Sequence, residues 1–363
     1  MTFTLSSSDL LDLSVGAAVL GTGGGGDPHI GRLMARRAIG SGHVRVLGLD
    51  DVDDDWFVVP CAQMGAPSIG AEKLPNGAEP VQALRTLETY VGRTADAVVA
   101  VECGGINSMI PLVVAAQTGL PVVDADGMGR AFPELQMKTF AAYGVSGSPM
   151  AMAGEFGETS IIDTGGDNAR MEWLARGVTM RMGGVAHISE FSMDGRDLKR
   201  TAIPGTLTLG LTIGRAVRRA RTEHRPVSEA LAEVVAESGY AGVRSLFNGK
   251  IVDVERTVDA GFTKGRARFR AFESAAELVV DFQNEFLTAR LDGELVCVVP
   301  DLICVLDSET GEAITTDRLR YGQRVQVLGI GTPPVMRTEA ALAAFGPAAF
   351  GLDTPFVPVE QLA

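Results

Sequence analysis

The sequence predicts a two-domain α/β protein: an N-terminal layered α/β domain with a parallel or mixed sheet, then a smaller, mostly β C-terminal domain. Three observations carry this reading. Strand-like β-branched runs alternate with helical segments through the first third of the chain, the pattern of a layered parallel sheet. Five strand-like stretches then follow one another at hairpin spacing. Finally, 363 residues that are 46% hydrophobic and only 6% aromatic supply enough Ala, Val and Gly for large, tightly packed layers. The expected bounds are 1–240 for the α/β domain, 241–332 for the β-rich domain, and 333–363 for a tail packing back on the first domain.

A first helix is expected to begin near Ser6 with Asp9 as a capping partner, and Leu10, Leu13, Ala17 and Leu20 line one face. It stops at "LGTGGGGDPHIG", where Gly23, Gly24, Gly25 and Gly26 precede Asp27-Pro28 and a second helix through Arg37. "HVRVLGL", "WFVVPCAQMGAP", "ADAVVAVECGGINS" and "LPVVDADGMG" read as strands, with "LRTLETYVGR" and "MIPLVVAAQTG" as the intervening helices. In open α/β sheets ligands collect at the carboxyl ends of strands, here near Cys103 and Asp124. Helices are expected over Leu207–Arg221 and Ser228–Ser238. "GKIVDVERTV", "GRARFRAF", "ELVVDFQNEFLTARL", "ELVCVVPDLICVLD" and "RVQVLGIG" are the C-terminal strands. Thr338 caps a last short helix, "EAALAAF".

The net charge of −13 and the lack of any long basic stretch argue against nucleic acid as a partner. "MTFTLSSSDLL" lacks a leader-like pattern, no apolar run approaches the roughly 18 residues of a membrane span, and the four cysteines are widely spread. A reduced, cytoplasmic protein without a membrane partner is the expectation.

Four groups of residues point to chemistry. The glycine run stands before a helix N-terminus, where unpaired N–H groups can cradle an anion or a flat polar ring. No Gly-Lys-Ser/Thr follows it, and it does not follow a strand as a dinucleotide fingerprint would. Asp27 adds a carboxylate to the same loop. Cys103 closes a buried strand ahead of a Gly turn and helix, a place suited to a nucleophile, a metal ligand or a small packed side chain. Glu102 points to the other side of that strand, and Asn107 can hydrogen-bond a ligand or cap the helix. "VVDADGMGRAFPELQM" crowds Asp124, Asp126, Arg130 and Glu134 around one Gly-rich turn, which suits acid–base catalysis, a metal or an ion pair. Asn284 and Glu285 place polar groups inside an apolar strand. Cys103, Asp124 and His187 are the candidates for a divalent metal such as zinc, although no local spacing defines such a site.

"LGTGGGGDP", "VECGGIN", "PVVDADGMGRAFPELQM", "IPGTL" and "FQNEF", in this order along nearly the whole chain, resemble the S-methyl-thiohydantoin desulfurase-like family, often labelled as hydantoinase- or oxoprolinase-associated proteins. The resemblance implies a swivelling-like β C-terminal domain and release of methanethiol from an S-methyl thiohydantoin to give a hydantoin. It carries over no catalytic set. On chemical grounds Asp124 or Asp126 would serve as base, Glu134 as acid and the glycine N–H groups as donors, with Cys103 as an alternative nucleophile. The expected ligand is a small hydantoin-like molecule bound by a homo-oligomer. The competing reading is a catalytic or regulatory partner of an ATP-dependent hydantoinase or oxoprolinase.

Overall fold

The computed structural model describes residues 2–73, 75–259 and 262–362; Met1, Leu74, Ala260, Gly261 and Ala363 lie outside the described residues. Four parallel strands, His43–Leu47, Val122–Val123, Ala97–Ala100 and Phe57–Gly65, form the centre of the first sheet. Their apolar, small-residue sequences suit burial on both faces. The sheet is mixed, because antiparallel strands extend both edges: Phe3–Ser6 on one side, and Val185–Ser189, Met150–Ala153 and Thr159–Ile162 on the other. One core lies between the sheet and the helices Leu10–Leu20, Pro28–Ile39, Glu79–Val91 and Ile110–Thr118. The opposite face is covered by methionines and phenylalanines around Phe140, Met171 and Phe191.

The second sheet has seven antiparallel strands, in the order Glu294–Val298, Glu285–Leu291, Glu277–Gln283, Phe262–Ala271, Gly242–Asp259, Arg324–Gly331 and Leu302–Asp307. It curls into a half-barrel around Phe269, Val280, Phe286 and Val327. The molecule is therefore a two-domain α/β protein with a mostly β C-terminal half. Helices Thr206–Thr222 and Val227–Ala236 pack between the two halves, and the first crosses Leu10–Leu20 so closely that Gly16 meets the Gly210 backbone. The tail contributes Met336 and Phe345 to a cluster with Phe132, Leu287 and Val299.

Several local expectations are corrected. Ser6 and Asp9 do hydrogen-bond, at 2.9 Å between Ser6 Oγ and Asp9 Oδ2, but Ser6 ends a short edge strand and the helix starts only at Leu10. "ELVVDFQNEFLTARL" is not one strand. It folds back on itself at Asn284, whose φ of 57° is left-handed, and Gln283 pairs with Glu285 across the turn. Asn tolerates that conformation, and its side chain is tied by the Thr263 N–H at 2.8 Å. "ELVCVVPDLICVLD" likewise splits into two strands.

Candidate active site

Where the glycine loop meets both domains, a cavity of about 100 Å³ opens beyond the carboxyl ends of the central strands. The N-terminal domain supplies Gln63, Glu102, Asn107, Met128, Phe132, Glu134 and Arg176 to its wall, and the C-terminal domain supplies Asn284 and Glu285. A wider chamber of about 850 Å³ adjoins it, sharing Gly26, Arg176 and Asn284.

Two carboxylic acids face one another in character across this seam. Glu102 follows the strand Ala97–Ala100 by two residues. Its Oε1 accepts from Asn107 Nδ2 at 2.6 Å, while Asn107 Oδ1 accepts from the Gln63 N–H at 2.7 Å. Burial pushes the Glu102 carboxyl up to about 8, opposed by the Asn107 donor and reinforced by the charge of Glu285. Glu285 enters from the turn at Asn284. Its Oε1 accepts from the Gly25 N–H at 3.3 Å, and burial raises its carboxyl to about 7, against the pull of Arg130. Both side chains are buried, at 5% and 3% exposure, yet Glu102 Oε2 and Glu285 Oε2 have no protein hydrogen-bond partner. Buried polar atoms are nearly always satisfied, so two such oxygens on one cavity mark a place for a ligand or water.

The glycine loop works as the interdomain seam. Gly23 packs on the Phe286 ring, its carbonyl accepts from the Thr316 N–H at 2.9 Å, and the Gly25 carbonyl accepts from the Ile106 N–H at 2.8 Å. Side chains are excluded because Gly23, Gly25 and Gly26 have φ of 92°, 75° and 77°, and because the Glu285 carboxylate fills the space a Cβ on Gly24 would need. Gly25 and Gly26 line the inner cavity, whereas Gly23, Gly24 and Asp27 line the outer chamber. Asp27 caps the helix Pro28–Ile39 through the His29 N–H and pairs with Arg318 at 2.6 Å. That occupies it structurally.

The acidic turn divides differently from its sequence reading. Asp124 and Asp126 do not share a pocket face. Asp124 accepts from the N–H groups of Leu207 and Thr208, at 2.9 and 3.1 Å, and so caps the helix Thr206–Thr222 from outside it. Asp126 is fully buried, accepts from the Cys103 and Gly129 N–H groups, and is raised to about 7 by burial. Arg130 pairs with neither. Its buried guanidinium donates to the carbonyls of Phe286, Asp301 and Pro300, at 3.0, 3.0 and 3.3 Å, which ties the turn to the C-terminal domain. Burial lowers it to about 10. Only Glu134 of this group reaches the cavity.

Cys103 faces away from the cavity, against Asp126 and Tyr240, and burial beside that carboxyl drives its thiol well above the ordinary range. A thiol held protonated in this way is a poor nucleophile or metal ligand. His187 lies elsewhere, in register with Gln63 on the strand Val185–Ser189, which is paired on both sides, and burial depresses its imidazole to about 4. Cys103, Asp124 and His187 are therefore not brought together. Among the described residues no three acidic, Cys or His side chains are grouped to hold a metal. Glu102 was read as opposite Cys103 but given no role at the site. Both residues lie past the strand's end at Ala100, and the hydrogen bond from Asn107 holds the Glu102 carboxyl at the cavity.

Models of the S-Me-THD-like N-terminal domain and C-terminal domain match residues 8–164 and 166–359. The chain belongs to the S-methyl-thiohydantoin desulfurase-like family. The boundary between the two family domains falls just before the helix Asn168–Arg181, although Val185–Ser189 returns to the first sheet. The crystal structure of a protein from Chromobacterium violaceum shares this fold at a TM-score of 0.81 and 25% identity, covering 98% of this chain and 100% of that one. No curated protein matches the chain in sequence. Among the described residues no helix is long and apolar enough to cross a membrane.

Proposed function

We propose that this family member is a hydrolase that releases methanethiol from an S-methyl thiohydantoin, using Glu102 and Glu285 as its acid–base pair. The observation that carries the reading is that these two buried carboxyls, one from each domain, border a single small cavity with an unpartnered oxygen apiece. Family membership supplies the class of ring.

Burial raises both carboxyls, but the Arg130 charge and the Gly25 N–H favour the ionised form of Glu285, whereas the Glu285 charge disfavours that of Glu102. Glu285 therefore takes the part of base and Glu102 that of acid. Glu285 takes a proton from water as the water oxygen bonds to the C–S carbon. The electron pair of the C=N bond moves to the ring nitrogen, which takes its proton from Glu102. In the collapse the C–S bond breaks, sulfur leaves with the proton held by Glu285 as methanethiol, and the hydroxyl proton returns to Glu102 as the carbonyl forms. Both carboxyls end in their starting states. Arg176, on the same wall, offers donors to the ring carbonyl.

Incubation with an S-methyl thiohydantoin in ¹⁸O-water tests this. The expected result is one methanethiol per turnover and one label in the new carbonyl, without ATP. Absence of thiol release, or hydrolysis of ATP to inorganic phosphate in step with turnover, overturns the reading in favour of a hydantoinase component.

A further inference from the structure

Arg176 projects from the helix Asn168–Arg181 to the wall of the inner cavity. Its Nε donates to Glu172 Oε1 at 2.6 Å, while Nη2 pairs with the same oxygen and donates to the Pro133 carbonyl at 3.1 Å. Glu172 is itself buried, and its Oε2 accepts from the Leu135 N–H at 3.1 Å. These bonds grip one edge of the guanidinium. Among the described residues Nη1 has no protein partner, so it is the nitrogen left to donate to a ligand.

The face of the guanidinium is covered from the other domain. Its central carbon lies 4.4 Å from the centroid of the Phe262 ring, at the start of the strand Phe262–Ala271. Phe262 is keyed to the turn that carries Glu285. The Thr263 N–H donates to Asn284 Oδ1 at 2.8 Å, and the Thr263 carbonyl accepts from the Asn284 N–H at 2.7 Å. Phe262 does not itself border the inner cavity. An aromatic face attracts a cation without engaging its N–H groups one by one. A carboxylate at this point would compete for Nη1; the ring leaves it free.

From this we infer that Phe262 is a positioning residue for the reaction: it braces Arg176 across the domain seam, so that the turn holding Glu285 also sets the donor to the ring carbonyl. The inference rests on the part proposed for Arg176 in methanethiol release. Electron density that reaches a ring nitrogen beside that carbonyl is shared with the carbonyl oxygen. A donor held in place there is therefore worth more in the transition state than in the ground state, and acts on kcat more than on KM.

Methanethiol release by the full-length protein tests this in Phe262→Leu, Arg176→Gln and the double variant, with folding checked by circular dichroism. Phe262→Leu should lower kcat ~10-fold while KM stays within about threefold of wild type, and Phe262→Tyr, which keeps the ring, should restore kcat. Arg176→Gln should lower kcat ~10²-fold, the loss of one such donor. Adding Phe262→Leu to it should cost nothing more, because the brace then has nothing to hold. A second reading needs no turnover. The Arg176 Nε–H resonance, under the ring current of Phe262 in the wild type, should move in Phe262→Leu and return in Phe262→Tyr. If the wild type releases no methanethiol, the proposed reaction fails, and this resonance alone decides whether the brace exists. Wild-type kcat in Phe262→Leu, an equal loss with and without the Arg176 side chain, or an unmoved resonance overturns the inference.

Discussion

The Cα of Gly24 rests against the carboxylate of Glu285, in the space that any larger residue's Cβ would need, while the neighbouring Gly25 N–H donates to the same carboxylate. A backbone loop of one domain thus sets the position of an acid from the other. This is why four consecutive glycines stand where two helices meet.

Gly24→Ala should therefore act on chemistry before stability. Its methyl group displaces the end of a flexible side chain, so the fold survives, but a carboxylate shifted by about 1 Å loses on the order of 10²-fold in kcat. Circular dichroism together with the methanethiol assay checks this. A variant with wild-type kcat would separate the loop from the reacting centre.

Asp124→Ala should do the reverse. It strips two helix N–H groups of their acceptor, a loss of about 1–2 kcal/mol for a cap of this kind. Denaturant unfolding should show that loss, with kcat within about threefold of wild type.

Cys103→Ala should also stay active. The thiol packs against Asp126 and Tyr240 away from the cavity, so its removal costs the roughly 1–2 kcal/mol of a small core truncation. Rapid-quench mass spectrometry of the wild type should find no adduct on this residue.

Glu102 ties stability to pH with a defined sign. Its folded-state value, about 8, lies above the ordinary 4.5, so the native state holds the proton more tightly than the unfolded chain does. Its contribution is fully present below about pH 4.5 and fades as pH rises to about 8; Glu285 adds the same trend up to about 7. Glu102→Gln removes the dependence. Relative to wild type its melting temperature should rise between pH 5 and pH 9, by roughly 2–4 °C for each kcal/mol relieved. A difference that is flat across that range would contradict the buried, protonated acid.

The fold was legible because its signals are local. Alternating strand and helix patterns predicted the central sheet, and evenly spaced strands predicted the β-rich second half. The strands Met150–Ala153 and Thr159–Ile162, and their antiparallel pairing with Val185–Ser189, were not read, since such short segments pair only through distant partners. At the site, the glycine loop, Asn107, Glu134, Asn284 and Glu285 were read as ligand-facing, and Gly25, Gly26 and these four side chains border the inner cavity. Asp124, Asp126 and Arg130 were misread for one physical reason. Polar residues crowded at a strand end look alike whether they face a ligand or satisfy orphan backbone groups, and here each satisfies backbone: the helix at Thr206, the turn at Gly129, and the carbonyls of Phe286 and Asp301. Tertiary structure alone separates the two cases.

The central claim, that hydrolysis is carried by two carboxyls from opposite sides of the domain seam, is tested most directly by the kcat for methanethiol release in Glu102→Gln and Glu285→Gln. Each substitution keeps shape and removes the titrating group, so each should lower kcat by roughly 10²–10⁴-fold, with the wild-type pH–rate limbs near 7 and 8 lost. A folded variant of either kind that retains wild-type kcat and its pH profile would contradict the account.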